Sequence, residues 1–73
     1  MKNDLGLMVK EIRQKARLSS KNLAKYFGIK KETLLEYENG VSSIPTLILQ
    51  EYVKIKEDKG KKVREYLKNN NML

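Results

Sequence analysis

The sequence predicts an all-α fold, a compact five-helix bundle with a helix-turn-helix at its centre, in a single domain over residues 1–73. Three observations lead there. No stretch alternates apolar and polar residues for long enough to make a strand. Apolar residues instead recur three and four apart in short segments punctuated by Gly, Asn and Pro. Between residues 19 and 40 the large Leu23, the small Ala24, Gly28 and the large Leu34 follow in order. Two helices crossing steeply need this sequence of sizes. Ala24 permits close approach, and Gly28 can take the positive φ of a sharp reversal.

Each element has its own signal. The first helix is expected over about Leu5 to Ala16, with Asn3 or Asp4 as N-cap and Leu5, Met8, Val9, Ile12 and Ala16 as its buried face. Arg17 and Leu18 lead to a second helix that starts near Ser20 and stops before Gly28, capped by Ser19. The third spans about Lys31 to Glu38 and ends at Asn39-Gly40, a C-terminal stop. The helix-turn-helix core is therefore about residues 19–40. Val41 to Pro45 is a loop, with Pro45 suited to open a fourth helix over about Thr46 to Glu57. Asp58 to Gly60 interrupts, and a fifth helix holds Val63, Tyr66 and Leu67 between Lys61 and Lys68. Residues 69–73 are expected to fray.

Composition narrows the function classes. Sixteen Lys and Arg against nine Asp and Glu give a formal charge of +7, which favours an anionic partner. Without cysteine or histidine, disulfides and the usual zinc ligands are excluded, so stability must come from helix packing, helped by dimerisation. The serine hydroxyls have no base nearby in sequence, and Glu36 and Glu38 lie close together on a short helix, not on two walls of a cleft. An enzyme is not expected, and no cofactor, metal or small-molecule ligand is implied. No apolar run is long enough to span a membrane and MKNDLGLM lacks a signal-peptide core, so a cytoplasmic location is expected.

The stretch from Val9 to Pro45 resembles the helix-turn-helix domain of the lambdoid phage repressors and Cro proteins, the Xre family, at Arg13, Leu23, Ala24, Gly28, Leu34, Glu38, Gly40 and Pro45. The likeness covers about half the chain by motif and nearly all of it by helix order. It implies a lambda repressor-like DNA-binding domain, with an ion pair between Arg13 in the first helix and Glu38 at the end of the recognition helix. It further implies base contacts from Lys31, Glu32 and Glu36, with Thr33 nearer the phosphates. Lysine can donate to guanine O6 and N7, and glutamate can accept from cytosine N4. Glu32 also suits the helix dipole, and Glu36 can be a solvated surface residue.

Phosphate contacts are expected from Ser19, Ser20 and Lys21 at the positive end of the second helix. Lys30 stands where the family usually caps the recognition helix with Ser or Thr. A cation there opposes the dipole until a phosphate lies beside it. Asn39 and Ser43 are further backbone-contact candidates. The chain departs from the family pattern at Ser20, where glutamine is frequent, at Leu35, where a small or polar residue is usual, and in the loop from Val41 to Ile44, which lacks basic residues. Helix four also aligns poorly around Glu51 and Tyr52.

The function implied is a sequence-specific regulator that binds double-stranded DNA, a repressor acting as a homodimer on an inverted repeat. Tyr52, Val63, Tyr66 and Leu67 are the dimer-interface candidates, with completion of the monomer core as the competing role. A protein-binding module of the same fold, such as an antitoxin paired with a toxin or an anti-repressor-like phage factor, is the alternative.

Overall fold

The structure, a computed structural model, describes residues 4–71. It contains α1 (Asp4–Lys15), α2 (Ser20–Phe27), α3 (Lys31–Glu38), α4 (Thr46–Asp58) and α5 (Lys61–Asn69), and no strand among the described residues. α1 packs on α3 and α4, α2 on α3 and α5, and α4 on α5. Every helix contributes to one core: Val9 from α1, Leu23 and Ala24 from α2, Leu34 from α3, Tyr52 and Ile55 from α4, and Val63 and Leu67 from α5. Ala16 and Leu18, in the α1–α2 connection, complete it.

One device ends α1, α2, α3 and α4. In each, one of the first two residues past the helix turns into the left-handed region: Arg17 (φ 60°), Gly28 (74°), Gly40 (76°) and Lys59 (58°). The next N–H then reaches back to a carbonyl in the last turn: Leu18 to Arg13 (3.2 Å), Ile29 to Ala24 (3.0 Å), Val41 to Glu36 (2.9 Å) and Gly60 to Ile55 (3.0 Å). These bonds satisfy carbonyls that a helix end leaves unpaired. Glycine fills the position on either side of α3, whereas Arg17 and Lys59 hold it with a Cβ that disfavours it.

Several boundaries and faces differ from expectation. α1 begins at Asp4 and ends at Lys15, and Asn3, the other cap candidate, lies outside the described residues. Met8 is 47% exposed, not buried, while Gly6 on the same helix is buried. A Cβ on Gly6 would stand 2.6 Å from the Tyr37 carbonyl oxygen and 2.7 Å from that of Glu38. Glycine there lets α1 rest on the backbone at the end of α3. Pro45 is extended (φ −59°, ψ 146°) and sits just before α4, which runs to Asp58. The Asp58 carboxylate accepts from the Gly60 N–H (2.9 Å) and the Lys62 N–H (3.2 Å), joining α4 to α5.

The tail is not frayed as far as Asn71. Asn69 is helical, and the Asn70 side chain donates to the Tyr66 carbonyl at 2.8 Å. Residues 72 and 73 lie outside the described residues. The dimer-interface candidates also need correction. Tyr52 and Leu67 are 0% exposed and Val63 1%, all inside the monomer core. Their helices fold back onto α1 and α2, so these side chains are spent on the monomer. Tyr66 alone of that set reaches the surface, at 38%.

Candidate nucleic-acid interface

The geometry of α3 is set from behind by a buried carboxylate. Glu38 is 4% exposed, and its two oxygens are fully engaged. Arg13 Nε donates to Oε2 at 2.8 Å and Arg13 Nη2 to Oε1 at 3.0 Å. The Tyr52 hydroxyl also donates to Oε2, at 2.9 Å. Arg13 Nη1 continues to the Leu18 carbonyl, at 2.9 Å. One carboxylate thus joins α1, α3 and α4, and its arginine pins the loop that leads into α2. A guanidinium can serve both ends because its donors form a fixed fork. Burial, the Glu38 charge and the hydrogen bond to it all push the Tyr52 phenol well above its ordinary pKa, with Arg13 opposing.

With Leu34 and Glu38 inward, helical periodicity turns Glu32, Glu36 and Asn39 outward, and all three are exposed. Lys31 is exposed at the start of α3, while Thr33, Leu35 and Tyr37 are half-buried along its flanks. Lys30 takes the N-cap position (φ −75°, ψ 148°) without a side-chain hydrogen bond. The first N–H groups of α3 are therefore left uncapped by any side chain.

α2 begins differently. Ser19 Oγ accepts from the Asn22 N–H at 3.0 Å. Its hydroxyl is used in the cap, which leaves the backbone of the first turn and the exposed Lys21 as the groups facing outward. Ser20 is half-buried. None of Lys21, Lys30 and Lys31 forms an ion pair among the described residues. Three cations without an ion-pair partner thus sit near the positive ends of two helices, with Glu32 the acidic residue in the first turn of α3, and such cations attract phosphate.

A family model for helix-turn-helix domains matches residues 9–55, which takes in α2, the Gly28 turn, α3 and the Arg13–Glu38 pair. The chain belongs to the Xre/lambda repressor-type helix-turn-helix family. Comparison with curated proteins and with solved structures gives no match. The family is one of DNA-binding regulatory domains. In this helix-turn-helix domain α2 and α3 form the motif, and α5 lies beyond the matched stretch, packed on α2 and α4. No helix among the described residues is long and apolar enough to cross a membrane.

Two participants had no signal at the level of the sequence. Ser42 Oγ donates to Glu36 Oε1 at 3.3 Å, so the outward carboxylate is steadied by the loop behind α3. Helical periodicity stops at Gly40 and cannot connect these residues. Tyr52 is the other. A buried phenol and a buried carboxylate each need a partner, but nothing in the spacing pairs them. Asn39 and Ser43 are both exposed beside this loop, and Val41 within it is 73% exposed.

Proposed function

We propose that this domain is a sequence-specific regulator of transcription that binds double-stranded DNA as a dimer on an inverted repeat and represses by occupying a promoter. The observation that carries the reading is the bare N-terminus of α3. Lys30 holds the N-cap position without capping, and Lys31 is exposed and without an ion pair beside it. In the free protein this end places cations against a positive dipole, and a phosphate reverses that cost. Lys31, Glu32 and Glu36 are then the base readers. Ser19, Ser20, Lys21, Lys30, Thr33, Asn39 and Ser43 hold the backbone, Ser19 through the helix end that it caps.

A helix of this length reads only a few base pairs, so two half-sites about one helical turn apart supply specificity. Selection of the purified protein against a random duplex pool tests the reading. A two-fold symmetric motif with half-sites about 10 base pairs apart is expected. Recovery of only salt-sensitive background would remove the regulator assignment and shift attention to a protein partner.

A further inference from the structure

A cavity of about 350 Å³ opens between α1 and α4. Met8, Ile12, Ala16 and Ile55 make its apolar part, and Glu11, Lys15, Lys56 and Lys59 its charged part. All four charged residues are exposed, and none forms an ion pair among the described residues. Glu11 and Lys15 stand one turn apart on α1 and offset each other, which leaves Lys56 and Lys59 as the surplus. Asp58, between them in sequence, is turned to the N–H groups of Gly60 and Lys62. Lys59 holds its place at a conformational cost, with φ at 58° where Gly28 and Gly40 serve past α2 and α3. Glycine would end α4 with less strain; what lysine adds is a cation on a long stem.

The volume suits a small molecule, and the lining selects its chemistry. Among the described residues no aromatic ring lines the cavity, so a nucleobase finds nothing to stack on. No hydroxyl or amide side chain lines it either, which leaves a sugar without partners. The apolar side chains are aliphatic or thioether, and they match a flexible hydrocarbon. Lysine ammoniums are compact point charges, and their stems can lie along such a chain while the heads stay in water. We propose that the α1–α4 cavity binds a small amphipathic anion, an unbranched aliphatic carboxylate. Its chain lies on Met8, Ile12, Ala16 and Ile55, and its head meets Lys56 and Lys59. Among the described residues nothing from α2 or α3 lines the cavity. The ligand therefore leaves the outer face of α3 free, and the proposal goes beyond the regulatory reading without resting on it.

Titration of the full chain with sodium decanoate, below its micelle concentration and followed by amide NMR, tests the proposal. Saturable shifts are expected at the α1 and α4 residues that line the cavity, with the spectrum of a folded chain kept throughout. Hexanoate, which has the same head and a shorter chain, should bind roughly 10-fold more weakly or worse, because it buries fewer methylenes. Decylammonium, with the same chain length and the opposite charge, should not saturate the site. Lys56→Gln combined with Lys59→Gly should weaken decanoate roughly 5-fold or more, as loss of two cations beside a carboxylate does. Glycine suits the left-handed backbone at position 59, and circular dichroism checks the fold; Lys56→Gln alone serves if the pair is unstable. Lys54→Gln, on an exposed α4 residue outside the cavity, should bind as the parent does. Shifts that never saturate or that spread over all five helices would overturn the proposal. So would equal binding of decylammonium, a double variant that binds like the parent, or a Lys54 variant weakened as much.

Discussion

The Tyr52 hydroxyl and Arg13 Nε converge on the same oxygen of Glu38, at 2.9 and 2.8 Å. This oxygen joins a helix that precedes the helix-turn-helix to one that follows it, through the last residue of the recognition helix. The contact is a folding device whose consequence is the pose of α3, so its loss should be read first as a loss of stability.

Arg13→Ala is expected to destabilise the fold by about 3–5 kcal/mol, because it strands a buried carboxylate. Tyr52→Phe, which keeps the ring against Phe27 and removes only a hydrogen bond to a charged group, should cost about 1.5–3 kcal/mol. Urea unfolding measures both. Equal losses for the two variants would mean that Arg13 is not balancing the Glu38 charge.

The same phenol makes stability depend on alkaline pH. Its pKa is raised by folding, so the folded chain keeps its proton while the unfolded chain releases it near the ordinary value of 10.0. The unfolded state then binds fewer protons, and the Tyr52 contribution, complete below that pH, falls as pH rises above it, by about 1.4 kcal/mol per pH unit. Tyr52→Phe should flatten this fall relative to the parent in unfolding curves taken on either side of pH 10. An unchanged slope would show that Tyr52 does not supply it.

Gly6→Ala tests the seat of α1 on α3. The new Cβ meets backbone oxygens of Tyr37 and Glu38 inside contact distance, and backbone cannot move aside as a flexible side chain can. Overpacking of this kind costs about 1–3 kcal/mol. For a domain of this size each kcal/mol lowers Tm by about 4–8 °C, a drop that a thermal melt resolves. Alanine's higher helix propensity predicts the opposite sign, so a rise in Tm would contradict the close approach.

Lys30→Ser separates stability from binding. Serine can cap the bare N-terminus of α3 and should stabilise the free protein by about 1 kcal/mol. Affinity should fall alike on specific and non-specific duplexes, since the lost group meets phosphate. Stability and affinity rising together would remove Lys30 from the DNA surface.

Lys31→Ala and Lys21→Ala should differ in kind. The first is expected to relax preference at one or two base positions. The second should weaken all sequences and lower the salt slope by about 1. Binding measured on selected and scrambled duplexes at several salt concentrations distinguishes them, and identical profiles would deny Lys31 its base-reading role.

Local chemistry alone determined the helices of this chain and the outward face of the recognition helix. Ser19 caps, Gly28 and Gly40 reverse the chain, and Leu23, Ala24 and Leu34 point inward, because capping, turn conformation and helical periodicity act over a few residues and are written in order. Tertiary structure decided what those faces meet. Gly6 lies in a helix pattern that gives no reason for glycine until the carbonyls of Tyr37 and Glu38 come beneath it. Tyr52, Val63 and Leu67 have the same apolar spacing whether they face a partner or a core, and only the folding of α4 and α5 against α1 and α2 sent them inward. Leu47 went the other way, left exposed beside a hollow between α2 and α4. Periodicity states that a face is apolar; which surface covers it depends on residues brought together from distant parts of the chain.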